Sequence, residues 1–318
     1  MNDTFETDII EGLQLEQKHI PSKHFYDDKG DKLFQKIMEL PEYYLTRLEM
    51  KILKAEKSEI FKGLEKNEHF RLIELGAGDG QKTLVLLKYL LKKRYDFIYN
   101  PVDISADVLK TLEQKLLRNT KGLSFKLINA EYFEALQKLR FEENGRNILL
   151  FLGSNVGNFN QHETVEFYKH IHELLNPGDR IITGFDLVKD PFKILAAYND
   201  SQGVTAKFNL NLLKRINSYF DANISINRFG HYPMYNPTTG EAKSFLVSRA
   251  NQQVHLKKVG IKIDFYKGET IQTEVSRKFT LSKIQQIAEM TGFAVLKNHM
   301  DKHEEYAVSV WEKTQPNI

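Results

Sequence analysis

The chain has no cysteine among its 318 residues. Disulfide staples, thiolate metal sites and a cysteine nucleophile are therefore excluded. No apolar run approaches the roughly 20 residues needed to cross a bilayer, so no membrane partner is expected. The opening Met1-Asn2-Asp3-Thr4-Phe5-Glu6 lacks a basic region followed by an apolar one, and it does not read as a signal peptide. An excess of one charge is also missing. Against 42 acidic residues stand 45 basic ones, a net charge of +3, which predicts no nucleic-acid partner. No pair of histidines has metal-ligand spacing, so no metal is expected. There is no Gly-x-Ser-x-Gly elbow and no internal repeat. What is present, 41% hydrophobic and 27% charged residues, is the composition of an ordinary globular protein, expected in the cytoplasm as a monomer.

The organising stretch is Leu72-Ile73-Glu74-Leu75-Gly76-Ala77-Gly78-Asp79-Gly80. It reads as a buried strand entering a glycine turn, followed by a helix from Gln81 with leucines at helical spacing. A strand, a glycine turn and a helix N-terminus make a platform for a nucleotide-like cofactor. The spacing is Gly-x-Gly-x-Gly, neither the dinucleotide fingerprint nor a P-loop. Glu74, just before the turn, is ill suited to a pyrophosphate. It suits a cationic cofactor without phosphate, of which S-adenosylmethionine is the example. An ordinary tight turn between strand and helix is the bland alternative.

From Arg71 onward strands and helices alternate. Strands are expected at 71–75, 97–102, 124–128, 147–152 and 180–185, and helices at 81–92, 106–118, 132–140 and 162–175. This predicts a parallel sheet covered on both faces. A helix over 282–291 and an antiparallel pair, 293–299 with 306–313, complete an α/β plan of the class I methyltransferase type, Rossmann-like with a C-terminal antiparallel hairpin. The alternation is interrupted at 191–279, where a mostly helical run to Tyr219 gives way to extended segments, expected at 255–259, 261–266 and 269–273. The organisation expected is therefore a cofactor-binding domain of residues 58–194 and 280–318, with residues 1–57 and 195–279 forming an α+β substrate-binding lid. Within the first 57 residues helices are expected over 32–38 and 46–58, with Thr46 and Glu49 as a capping box for the second.

Ligands of such sheets bind off the carboxyl ends of the strands. There Asp103 can accept ribose hydroxyls, in this cofactor or a nicotinamide one, or else cap the helix that follows, as Ser105 could. Glu131 can accept from an adenine amino group, and Tyr132 can stack on the ring. The run Gly153-Ser154-Asn155-Val156-Gly157-Asn158 sets neutral amides and a hydroxyl where substrate meets cofactor. Farther on, Glu274 and Ser276 share one side of an expected strand. One acceptor and one hydroxyl there can grip both nitrogens of an imidazole.

With Lys23-His24-Phe25-Tyr26-Asp27, Leu40-Pro41-Glu42-Tyr43-Tyr44, Pro101-Val102-Asp103-Ile104-Ser105, the 153–158 run, Asp186-Leu187-Val188-Lys189-Asp190, Gly203-Val204-Thr205-Ala206-Lys207-Phe208-Asn209 and Thr273-Glu274-Val275-Ser276-Arg277-Lys278-Phe279, the chain resembles the bacterial L-histidine Nα-methyltransferases of ergothioneine biosynthesis. That family trimethylates histidine to hercynine and includes fungal dimethylallyltryptophan N-methyltransferases. The resemblance implies an S-adenosylmethionine site of Tyr26, Gly76, Lys82, Asp103, Glu131 and Tyr132, releasing S-adenosylhomocysteine. It implies L-histidine as substrate, its α-amino and carboxylate groups on Asn158 and Tyr198 beside the Gly153 backbone, and its imidazole on Tyr43, Glu274 and Ser276. Asn158 and Tyr43 would be the catalytic residues. Glu131 stands where the family commonly has aspartate. Ser244 stands where a methionine flanks the substrate ring, which would re-tune the side-chain pocket. Another amino acid or aromatic amine is the alternative substrate, and a cofactor-binding protein without turnover the alternative class.

Overall fold

The computed structural model describes residues 4–140 and 145–314; the extreme ends of the 1–57 and 280–318 segments lie outside them. In chain order the elements are α1 (Thr4–Gln14), α2 (Asp28–Glu39), α3 (Leu45–Ile60), β1 (Phe70–Leu75), α4 (Thr83–Lys93), β2 (Phe97–Asp103), α5 (Ala106–Asn119), β3 (Ser124–Phe125), β4 (Ile128–Asn129), α6 (Tyr132–Arg140), β5 (Arg146–Phe151), α7 (Gln161–Leu174) and β6 (Arg180–Asp186). There follow α8 (Pro191–Tyr198), α9 (Val204–Phe220), β7 (Phe229–Asn236), β8 (Glu241–Ser248), β9 (Gln252–Leu256), β10 (Ile261–Phe265), β11 (Thr270–Arg277), α10 (Leu281–Met290), β12 (Phe293–Met300) and β13 (Tyr306–Lys313). They form two compact units, one of Met1–Tyr44 and Val188–Lys278, the other of Leu45–Leu187 and Phe279–Ile318. The expected division at residue 57 falls inside α3, whose whole length belongs to the second unit.

In the second unit the sheet order is β12-β13-β6-β5-β1-β2-β3, with β4 also on β2. The strands from β6 to β2 run parallel, and β12 and β13 antiparallel to their neighbours. Every residue of β1 and β6 is buried, as expected of strands covered on both faces. From β1 the chain winds outward to β2 and β3, then returns to lay β5 on the other side of β1. The loops after β1 and β5 thus leave adjacent strands at a topological switch point, where open sheets bind ligands. The strand expected over 124–128 is broken into β3 and β4. Lys126 intervenes, its N–H bonded to the Tyr99 carbonyl at 2.9 Å.

At the amino ends of the strands a polar cluster sets the register. Asp179, 2% exposed, accepts from the Asn147 backbone N–H and side-chain amide and from the Asn176 N–H, each at 2.8 Å. The Asn147 side-chain oxygen in turn accepts from Arg71 Nε at 2.9 Å.

The first unit holds α1, α2, α8 and α9 with the antiparallel sheet β11-β8-β7 and the ribbon β10-β9. Its core joins Phe5, Ile9, Phe208, Leu212, Leu246 and Phe265. Strands β7 and β8 were not resolved as separate elements by the sequence pattern. The alternation in β8 is nonetheless strict, with Ala242, Ser244, Leu246 and Ser248 buried.

Asp179→Ala would strand buried donors far from the glycine turn. Each costs about 1–3 kcal/mol, so the midpoint of urea unfolding should fall at an unchanged denaturant slope, with cofactor affinity intact.

Candidate functional site

The turn after β1 is held from three sides. Gly76 and Ala77 donate backbone N–H to the Val102 carbonyl at 2.9 and 3.1 Å. Asp103, at the end of β2, accepts the Gly78 N–H on Oδ2 and the Ser105 N–H on Oδ1, both at 3.0 Å. The α5 cap is Ser105, whose hydroxyl accepts from Val108 N at 3.3 Å. Asp103 is therefore not the cap; it ties the ends of β1 and β2 together. Burial raises its carboxyl above the usual aspartate range, against the backbone donors that lower it.

Gly76 has φ +70°, and a Cβ there would lie 2.8 Å from the Tyr132 hydroxyl. Only glycine meets both conditions. Tyr132 thus lies over the turn, its ring edge-on to Phe151. Burial, with the Asp103 carboxylate, pushes its phenol up to about 12. Nothing lies within 4 Å of a Cβ built on Gly78, leaving room there for a ligand. Glu131, which precedes Tyr132 in the chain, is exposed.

Two sequence expectations are corrected here. Glu74 does not present charge to a ligand. It is 3% exposed and accepts from the Thr83 and Tyr99 hydroxyls beneath the turn. Burial pushes its carboxyl up to about 7. Thr46 and Glu49 do not form a capping box, because α3 begins at Leu45. The Glu49 carboxylate, fully buried, instead accepts from Lys82 Nζ at 2.5 Å, from the Gly153 N–H at 2.8 and 3.0 Å, and from the Tyr306 hydroxyl at 2.8 Å. The Lys82 ammonium and the Gly153 N–H thus share a partner for which the sequence carries no signal.

Beyond Gly153 the chain turns through Ser154, a non-glycine residue at φ 59°. Its hydroxyl accepts from the Asp186 N–H at 3.1 Å, which joins the ends of β5 and β6 and offsets a left-handed conformation costing roughly 1–2 kcal/mol. A short 3-10 turn, Asn155–Asn158, follows and leaves Asn158 exposed.

The remaining candidates lie in the other unit. Tyr26 and Tyr43 both meet the Phe34 ring edge-on, at 5.6 and 6.1 Å between centroids. On the three-stranded sheet, Glu274 pairs with Ser244 and Ser276 with Ala242. The register shifts at Thr273, whose hydroxyl bonds the Asn209 side-chain oxygen of α9 at 2.6 Å. Such a bulge re-aims the residues after it. Ser244 is fully buried and donates to Glu274 Oε2 at 3.1 Å. It thereby fixes one oxygen of the carboxylate. Burial raises the Glu274 carboxyl, while Ser244 and Lys278 lower it. Tyr198, the last residue of α8, and Ser276 meet at a common partner, Lys278 Nζ, 2.6 Å from the first and 2.8 Å from the second. In the sequence Lys278 stands out only as part of the Thr273–Phe279 run.

The donor set of the sheet unit fits S-adenosylmethionine. It combines a carboxylate at the end of β2, an open glycine and a phenol over the turn. Among the described residues no cluster of His, Asp or Glu could hold a metal ion, and no helix is long and apolar enough to cross a membrane.

A family profile described as "Histidine-specific methyltransferase, SAM-dependent" matches residues 5–313. The chain is 34% identical over 272 residues to a histidine N-alpha-methyltransferase of Mycobacterium tuberculosis, covering 86% of this chain and 83% of that one. Against the Mycolicibacterium smegmatis protein of the same name identity is 33% over 292 residues, 92% and 89% of the two chains. The Schizosaccharomyces pombe ergothioneine biosynthesis protein 1 is 28% identical over 98% of this chain, which spans 41% of that protein.

The Glu74 proton is held more tightly in the folded chain than in the unfolded one, whose value is 4.5. Its contribution to stability is full below the unfolded value and is lost as pH rises through about 7. Unfolding free energies measured between about pH 5 and about pH 8 should therefore show a decline that Glu74→Gln flattens.

Proposed function

The chain belongs to the histidine-specific, S-adenosylmethionine-dependent methyltransferase family, and on that premise we propose that it methylates the α-amino nitrogen of L-histidine. The observation that carries the substrate assignment is the pairing of Glu274 and Ser276 on one face of β11, the carboxylate braced by Ser244 and the hydroxyl by Lys278. An imidazole offers one N–H and one lone pair, and these two side chains answer both.

Bound S-adenosylmethionine supplies an electrophilic methyl group. The chain's residues position the acceptor. In this reading Tyr26, Gly76, Lys82, Asp103, Glu131 and Tyr132 hold the donor, and Tyr43, Glu274 and Ser276 hold the imidazole of histidine. Tyr198 and Asn158 take the carboxylate and amino groups. The amine must present a neutral lone pair in line with the methyl group, and fixing that geometry supplies a large part of the rate enhancement. Asn158 and Tyr43 are neutral. They orient the nitrogen without binding its proton, and they let it turn between successive transfers. No strong base is needed when the amine sheds its proton to water. Three transfers would give the trimethylated betaine. The same reading puts a monomer in the cytoplasm acting on a free amino acid, with neither nucleic acid nor membrane as partner, in keeping with the lack of cysteine and the near-balanced charge.

Histidine incubated with the enzyme and S-adenosylmethionine should gain up to three methyl groups by mass spectrometry. Unchanged histidine beside a methylated product of another amino acid or aromatic amine from the same panel would overturn the substrate assignment. In calorimetry, Glu274→Ala should weaken histidine binding about tenfold or more, with S-adenosylhomocysteine binding unchanged. An equal loss of both would remove Glu274 from the substrate pocket.

A further inference from the structure

A buried cation stands beside the side chains proposed to hold the imidazole. Lys278 is 5% exposed. It follows Glu274 and Ser276 at the same two-residue step, one residue past the end of β11, and its backbone N–H bonds the Gly240 carbonyl at 2.7 Å. Its Nζ lies 2.8 Å from Ser276 Oγ and 2.6 Å from the Tyr198 hydroxyl, and 4.8 Å from the centroid of the Tyr198 ring. An ammonium donates and never accepts. Both hydroxyl oxygens must therefore accept from it, and both hydroxyl protons must point elsewhere.

A lone serine hydroxyl is ambiguous, since it rotates to donate or accept as its surroundings demand. Beside a fixed ammonium one lone pair is taken and the proton must point away from the lysine. Ser276, polarised by the charge, is left as the stronger donor. Two residues away, Glu274 has one oxygen engaged by Ser244 and is an acceptor when ionised.

We propose that Lys278 is a positioning residue that determines specificity by fixing the polarity of this pocket, so that Ser276 donates, Glu274 accepts, and the ring that fits is a neutral imidazole with one N–H and one bare nitrogen. An indole or pyrrole, with an N–H and no lone-pair nitrogen, leaves the Ser276 proton unanswered. A phenyl ring leaves both groups unanswered. Desolvated donors and acceptors left unpaired in this way are what makes a polar pocket reject a near-isostere. The proposal rests on the substrate reading above, because it assigns Lys278 a role toward the ligand of Ser276 and Glu274.

The test is histidine binding by calorimetry to wild type, Lys278→Met, Lys278→Arg, Ser276→Ala and the Lys278→Met/Ser276→Ala double variant, each with S-adenosylhomocysteine binding as a control. Lys278→Met should lose about tenfold or more in histidine affinity with the control within about twofold, and Lys278→Arg, which keeps the donors, should recover most of it. The losses of Lys278→Met and Ser276→Ala should be strongly non-additive, because one acts through the other. Nitrogen-15 spectra of bound, ring-labelled histidine should show one protonated and one bare nitrogen in wild type and an averaged pair in Lys278→Met, a change that a merely structural role would not produce. Should Lys278→Met fail to fold, Lys278→Gln, whose amide can donate or accept, is expected to show the same loss and averaging. Additive losses, or wild-type affinity and tautomer without the ammonium, would overturn the proposal while leaving the substrate reading intact. Failure of the wild-type enzyme itself to bind histidine would overturn that reading, and this inference with it.

Discussion

A single buried carboxylate holds the rim of the sheet unit together. Glu49 reaches from α3 to the Lys82 ammonium at the start of α4, to the backbone of Gly153 after β5, and to the Tyr306 hydroxyl on β13. Charge buried this deeply is tolerated only when it is paired and fully hydrogen-bonded. The carboxylate therefore constrains every element that supplies a donor. Packing leaves it no slack, since a Cβ on Gly184 would lie 2.1 Å from its Oε1. The glycine turn and the Gly153–Asn158 loop leave neighbouring strands, and Glu49 fixes one directly and the other through Lys82.

The same logic recurs on a smaller scale elsewhere. Asp103 binds the turn to the strand beside it, and the Ser154 hydroxyl binds the left-handed step after β5 to the end of β6. In the other unit a lysine plays the complementary part, donating to two hydroxyls where Glu49 accepts from several groups. Each arrangement removes rotational freedom from groups that would otherwise adapt, and a transfer reaction needs a fixed line of approach.

Much of the fold was legible in the chain. The leucine spacing after Gly80 and the apolar strands reflect local periodicity, and the sheet and hairpin follow from it. Asp103, Tyr132, Glu274 and Ser276 could be picked out because side chains at strand ends, or at two-residue spacing, have positions that sequence specifies. Glu49 could not be. Its partners lie 33, 104 and 257 residues away, and locally it mimicked a helix cap. Strands β7 and β8 escaped because their inward residues include Ser244 and Ser248, which read as polar.

The sequence by itself determined that a strand, a three-glycine bend and a helix would form a cofactor platform in an alternating α/β chain, because glycine's freedom and hydrophobic period act within a few residues. Only the tertiary structure decided which partners the polar groups find within the protein. That choice turned Glu74 inward, gave Lys82 and the Gly153 amide to Glu49, set Ser244 against Glu274 and brought Lys278 to Tyr198 and Ser276. The physical reason is that a buried polar group must be satisfied by whatever the fold places within about 3 Å, and chain order does not encode that distance.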